Sequence, residues 1–409
     1  MSLYRVALVG NMNNNFFAIA RYLRDMGYDA HLYYRVGMEH FQPKADTHTD
    51  NYMNYCHQVN WVDEGFYNIN IEEVKRALKG YDFYIGQGDE AVAAYKAGFN
   101  MDVYYPYGSD VYKYAYLPQE FTFLQKVKTI LGLNRISFAQ MKYGTAAKYM
   151  RGVIVDADNI LAEYTNEDFE EKLLGLNIKG NYQYYPMPML YYPEYEKLAG
   201  TGFPDTELQR EIKKMRDEHE FIVLYHGRQE WKTYHNDFTG KNTHHLIIGF
   251  ANFLKSNPHA NACLVMLEYG SDTEPSKALV EELGISGNVK WFPKMYRKDL
   301  ISLVCSADVC TGEFGRSYLS FGTIIEAMLM KKPIIHYRDD SLYGHHKELY
   351  PMLHAKEPDE ITRAIAWAWN NKAALKQMGE DAYMWAVQYF INQPLQYLQG
   401  LIEAKRTKR

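Results

Sequence analysis

Cysteine is scarce. The 409-residue chain has four, Cys56, Cys263, Cys305 and Cys310. None sits at the paired spacing of a metal site, and a scattered set suits a reducing cytoplasm better than a disulfide framework. No apolar run approaches twenty residues, so no transmembrane helix is expected. The opening Met1-Ser2-Leu3-Tyr4-Arg5 passes straight into a strand pattern, without the apolar core of a signal peptide. Neither sign of charge is in excess: 45 basic and 50 acidic residues leave a net charge of -5, which argues against general nucleic-acid binding. A Gly-x-Gly-x-x-Gly series after a strand is missing, which leaves a dehydrogenase poorly supported. His345-His346 with Glu348 has no second, distant pair of ligands, so no metal site is expected.

What is present is ample apolar content, 47%, enough for the cores of two or three domains. Tyr4 to Val9 reads as a buried strand, Gly10 to Asn15 as a polar loop, Phe16 to Met26 as an amphipathic helix stopped by Gly27, and Asp29 to Tyr34 as the next strand. That is the opening βαβ unit of a parallel, doubly wound sheet. Asn13 and Asn14 offer amides to a cleft, or only cap the helix that follows. Further strands are expected at 83–86 and 102–105, and Asp110 follows the second at a strand's C-terminal end, where open α/β sheets hold ligands. It could orient an acceptor hydroxyl or cap the next segment. Residues 151–157 and 181–190 read as strands, and 194–220 as a charged interdomain linker that includes a helix-like run from Asp205 to His219. From 121 to 151 a helical stretch carries Lys126, Lys128, Arg135, Lys142, Lys148 and Arg151 with no acidic residue, and apolar positions interleave with them. Such a surface suits an anionic bilayer; a solvated helix face is the alternative.

Phe221 to Tyr225 restarts the alternation and leads into His226-Gly227-Arg228, and a helix opens near Lys241. The stretch 305–337 reads as strand, glycine-containing loop, helix and strand. A loop ending in Ser320-Phe321-Gly322-Thr323 at a helix start presents free N–H groups to an anion such as a phosphate. Glu326, one turn on, could accept hydrogen bonds from a ribose diol or merely interact with the helix N-terminus.

Ser306-Ala307-Asp308, Phe321-Gly322, Glu326-Ala327-Met328 and Pro333, with the strand-end Gly227-Arg228 and Lys241 before them, resemble the donor-site segment of retaining GT-B glycosyltransferases, the glycogen-synthase and glycosyltransferase family 4-like group. The match runs from about Phe221 to Pro333 and is weak over the first domain. The family's first acidic residue is absent: Tyr318 stands eight positions before Glu326, and Glu313 is a substitute if the loop is longer. The insert 229–240 makes Lys232 a rival for the role of Lys241.

The resemblance implies two doubly wound Rossmann-like α/β domains facing a cleft, 1–200 for the acceptor and 201–390 for the nucleotide-sugar, with a C-terminal helix, 391–409, crossing back. It implies a metal-independent, cofactor-free transferase moving a sugar from a nucleoside diphosphate to a glycan or lipid-linked acceptor with retained configuration. Arg228, Lys241, Gly322 and Thr323 would hold the diphosphate and Glu326 the ribose. The loop at Lys294 and Met295 would hold the base, and Glu313 and Asp110 would serve catalysis. The alternatives are a nucleotide-sugar epimerase of the same fold, or a non-catalytic nucleotide-sugar-binding accessory protein.

Overall fold

The computed structural model describes residues 4–37, 39–62, 69–116, 122–133, 138–163, 167–233, 240–319 and 321–408. The chain divides into two compact units, Met1–Tyr191 with Phe390–Arg409, and Tyr192–Tyr389.

The first unit is built on seven parallel strands: β1 (Arg5–Val9), β2 (Asp29–Arg35), β3 (Cys56–Val59), β4 (Phe83–Gly86), β5 (Val103–Tyr104), β6 (Asn159–Ala162) and β7 (Asn181–Tyr184), in the order β3-β2-β1-β4-β5-β6-β7. Strand geometry sends alternate side chains to opposite faces. Ala7 and Val9 therefore join one apolar cluster, with Ala91 to Ala94, Val153 and Ile154. Val6 and Leu8 join the other, with Phe16, Ile19, Leu23, Leu398 and Ile402. The C-terminal helix Gln393–Thr407 thus completes one face of this sheet, and its Lys405 pairs with the buried Asp102.

The second unit holds six parallel strands: β8 (Phe221–Tyr225), β9 (Ala262–Glu268), β10 (Val289–Pro293), β11 (Val309–Thr311), β12 (Ile334–His336) and β13 (Leu353–His354), in the order β10-β9-β8-β11-β12-β13. Every residue of β8 is buried, as expected of a central parallel strand covered on both faces. In each unit the strand order reverses beside the first strand, at β1/β4 and at β8/β11, and loops leaving there diverge to open a crevice.

Several local expectations are corrected. Residues 151–156 end the helix Phe138–Asp156, because Val153 and Ile154 pack against the helix Gly88–Lys96 rather than in a sheet. Strand pairing stops at Tyr184 rather than at 190. The start of the charged segment forms a helix, Tyr192–Thr201, while the expected helical run is present as Glu207–Glu218, which buries Ile212 and Met215. A π-helical turn, Val387–Asn392, links the helix Lys372–Ala386 to the C-terminal helix Gln393–Thr407. The basic stretch gives helices Phe123–Ile130 and Phe138–Asp156, while Phe121, Arg135 and the Lys142 side chain lie outside the described residues. Among the described residues no helix is long and apolar enough to cross a membrane, and no group of three or more His, Cys, Asp or Glu is placed to hold a metal ion.

Candidate functional site

The crevice at β8/β11 is where charged and unpaired groups gather. β8 delivers His226 to Trp231 directly from its buried end, and this loop is tied down by one carboxylate. Asp272 accepts from the backbone N–H groups of Trp231 (2.6 Å), Lys232 (2.7 Å) and Thr233 (3.1 Å) and from the Thr233 hydroxyl. Burial alone would raise its pKa, but these donors outweigh it and hold the carboxyl at about 2. The stabilisation is therefore complete above the ordinary value of 3.8 and is lost as pH falls toward 2. Asp272→Asn is expected to cost about 1–3 kcal/mol, the penalty of poorly paired buried donors. Urea midpoints of the two proteins should converge between pH 4 and pH 2; parallel curves would contradict the anchoring role.

From this loop, Arg228 Nη1 lies 3.1 Å from Glu230 Oε1. Lys241, just ahead of the helix Thr243–Ser256, donates to Glu313 Oε1, and its ammonium lies 4.7 Å from the centre of the Phe321 ring. Glu313 belongs to the loop after β11. That loop is seated by the Phe314 N–H on the Lys241 carbonyl at 3.3 Å and by the Tyr337 N–H on the Glu313 carbonyl at 3.1 Å. Burial lifts the pKa of Glu313, partly offset by Lys241 and by the charge of Arg228. The structure thus brings together three of the residues expected from sequence, Arg228, Lys241 and Glu313, and adds Glu230. Lys232, the rival cation, is exposed. Residues 234–239 of the insert lie outside the described residues, as does Ser320.

The helix Gly322–Leu329 begins beside the same loop. Gly322 and Thr323 are its first two residues, whose N–H groups have no acceptor within the helix. One turn on, Glu326 is buried between two partners: His226 Nε2 at 3.1 Å from Oε2, and Arg297 Nε at 2.9 Å from Oε1. Burial would raise its pKa, but these two groups prevail and hold it below the ordinary value. A carboxylate has about four lone-pair positions, so both oxygens keep capacity for another donor. Four buried polar atoms of this loop and helix have no hydrogen-bond partner among the described residues: His226 Nδ1, Gln229 Nε2, Glu230 Oε2 and Thr323 Oγ1. Buried polar groups are nearly always paired, so a polar ligand is the physical expectation for such a set.

Sequence reasoning passed over His226, Glu230 and Arg297. His226 had a usable signal, a polar residue immediately after five buried apolar ones. Arg297 had none, since it opens the helix Arg297–Ser306 like any other first-turn residue. Lys294 and Met295 follow β10; Lys294 is exposed, with its ammonium 4.7 Å from the centre of the Tyr269 ring beside β9.

Two first-unit positions for which the sequence leaves alternatives have local partners in the structure. Asp110 is fully buried and accepts from the Tyr104 hydroxyl (2.9 Å), the Tyr107 N–H (3.1 Å) and the Val111 N–H (2.9 Å), so here it braces a turn rather than facing an acceptor. Its pKa is lifted by burial to about 6. Asn14 is buried, and its amide donates to the carbonyls of His40 (3.1 Å) and Gln42 (3.2 Å), which pins the 39–45 loop. Asn13, in a left-handed conformation at φ 54°, remains at the surface of the crevice loop. That crevice, at β1/β4, encloses a cavity of about 90 Å³ lined by Asn11, Arg35, Phe41, Gln87, Glu90 and Tyr107, among others. Burial lifts Glu90 there to about 7.

Residues 211–385 match the family model described as Glycosyl transferases group 1. No curated protein matches the chain in sequence. Among solved structures, Anabaena HepE in complex with UDP is similar at 13% identity and a TM-score of 0.58, over 98% of this chain and 100% of that one. A glycosyltransferase from Rickettsia africae ESF-5 is similar at 13% identity and a TM-score of 0.60, over 100% of both chains. UDP-GlcNAc 2-epimerase from Methanocaldococcus jannaschii is similar at 12% identity and a TM-score of 0.52, over 93% of this chain and 97% of that one. Likeness at these identities shows the fold, the two Rossmann-like sheets of the GT-B type.

Proposed function

We propose that this chain, which carries a glycosyl transferases group 1 domain over residues 211–385, moves a sugar from a nucleoside diphosphate to a glycan or lipid-linked acceptor, with retention and without a metal ion. The observation that carries the reading is the pairing of Arg228 with Glu230 and of Lys241 with Glu313 at the β8/β11 crevice. When the bond between the sugar and the diphosphate breaks, negative charge builds on the departing phosphate. Two cations and the first amides of the helix at Gly322 and Thr323 are the groups that would stabilise it. The arriving phosphates would replace Glu230 and Glu313 as partners of those cations. Glu313, released from Lys241, would then stand against the donor sugar. Glu326, with its spare lone pairs, would take the ribose hydroxyls, and the loop at Lys294 and Met295 the base. The acceptor belongs to bacterial surface polysaccharide or glycoconjugate synthesis, and the chain works in the cytoplasm, touching the inner face of the membrane through 121–151.

Thermal unfolding with a panel of nucleoside diphosphates tests this. A nucleotide at about a hundred times its dissociation constant should add roughly 2.7 kcal/mol. UDP is the first expectation, since HepE was solved with it. Arg228→Ala should remove the shift. No shift with any nucleotide would overturn the reading.

One observation favours a second reading, a nucleotide-sugar-binding protein without catalysis: Tyr318 occupies the place of the family's first acidic residue. A nucleotide shift with no sugar transfer and no donor hydrolysis would decide for it. Conversion of the donor without any acceptor would identify an epimerase instead.

A further inference from the structure

Fifteen large hydrophobic side chains are exposed among the described residues, and five of them fall between 123 and 133. Phe123, Leu124, Ile130, Leu131 and Leu133 are each open to solvent, from 62% at Leu124 to 83% at Phe123. They lie on and just after the helix Phe123–Ile130. It is held by its own cap: Thr122 and Gln125 exchange side-chain-to-backbone hydrogen bonds of 2.8 and 3.2 Å. At 3.6 residues per turn, Phe123, Leu124, Val127, Ile130 and Leu131 form one stripe about 120° wide. Lys126 and Lys128, both exposed, fall on either side of it.

We infer that this helix is a surface for an anionic lipid bilayer, lying in the interface with its apolar stripe among the acyl chains and its lysines at the headgroups. Charge complementarity selects that occupant. The chain as a whole is acidic, 50 against 45 residues, yet 121–151 holds six cations and no acidic residue. A stripe edged by cations on both sides matches a negative headgroup layer, and lysine stems reach past apolar contacts to it. The inference gives the membrane contact of the proposed function a defined surface. A vesicle assay needs no nucleotide, so it fails or succeeds independently of the transferase reading.

The test is co-sedimentation of the full chain with vesicles of phosphatidylglycerol and phosphatidylcholine, against vesicles of phosphatidylcholine alone, with Phe123→Glu/Ile130→Glu as the variant. Both substituted positions are exposed, and an unchanged circular dichroism spectrum and thermal midpoint confirm that the variant is folded. At 0.1 M salt the wild type should bind the anionic vesicles at least tenfold more strongly than the neutral ones. This preference should fade at 1 M, where the screening length shortens from about 10 Å to about 3 Å. The variant should lose binding. No binding by the wild type, or equal binding by the variant, overturns the inference. A dimer in light scattering that the variant dissolves, without vesicle binding, overturns it in favour of a self-association surface.

Discussion

Replacing Glu326 with alanine is expected to lower the unfolding free energy of the second unit by about 3–5 kcal/mol, the usual cost of removing one member of a buried ionic set. His226 and Arg297 both face this carboxylate, and the His226 ring already has one nitrogen without a partner. Without Glu326, the half-buried Arg297 guanidinium loses this carboxylate as a partner and the imidazole loses its Nε2 partner. Glu326→Gln keeps the shape and one acceptor, so its cost should be smaller, about 1–3 kcal/mol, and it separates folding from binding. Both variants should lose the nucleotide shift. The folded pKa is depressed, so the contribution of Glu326 is present above the ordinary value of 4.5 and fades as pH falls below it. Urea denaturation at pH 7 and pH 4 checks both statements: the gap between wild type and Glu326→Gln should narrow at the lower pH. A cost below about 1 kcal/mol for the alanine variant would mean that the three side chains do not act as a unit.

Gly10→Ala should be nearly as damaging, by about 3 kcal/mol or more, because a strained backbone and a steric clash coincide. Gly10 has φ 106°, and a Cβ there would come within 2.1 Å of the Gln87 carbonyl oxygen, where β1 and β4 diverge. Gly27 supplies the control: φ is 89°, yet a Cβ would meet nothing within 4 Å. Gly27→Ala should therefore show the conformational penalty alone, about 1 kcal/mol. Denaturation midpoints measured side by side give the steric share as the difference. Equal losses would show that the Gln87 loop yields freely.

Much of this was legible in the sequence where local pattern and tertiary environment agree. Phe221 to Tyr225 and Tyr4 to Val9 are apolar runs bounded by turn residues, and both are central strands. The helix after Phe321 shows its start in Gly-Thr and its buried face in Ile324, Ile325 and Met328. Reading failed where the two disagree. Gly152 to Val155 is rich in β-branched residues, yet it is helical because that face is buried against the alanines of another helix. The start of the charged segment 194–220 resembles a linker, yet it forms the helix Tyr192–Thr201 with Tyr195 buried, ahead of the helical run legible at 205–219, where Ile212 and Met215 are buried. Arg216 secures it further, pairing with Asp308, which also accepts from the Ile222 N–H at 2.7 Å. The Asp of the Ser-Ala-Asp run is thus structural. Pairs such as Lys241 with Glu313, 72 residues apart, leave no local trace at all.

The return of residues 390–409 to the first unit also bears on how the chain is made. A ribosome delivers β1 to β7 early, then the whole second unit, and only then Leu395, Leu398 and Ile402. Until those side chains emerge, Val6, Leu8, Phe83 and Leu161 have an apolar face with its last layer missing, and Asp102 has no lysine. The first unit can begin to fold first but finishes last, and its half-built sheet is the surface that chaperones must shield during synthesis.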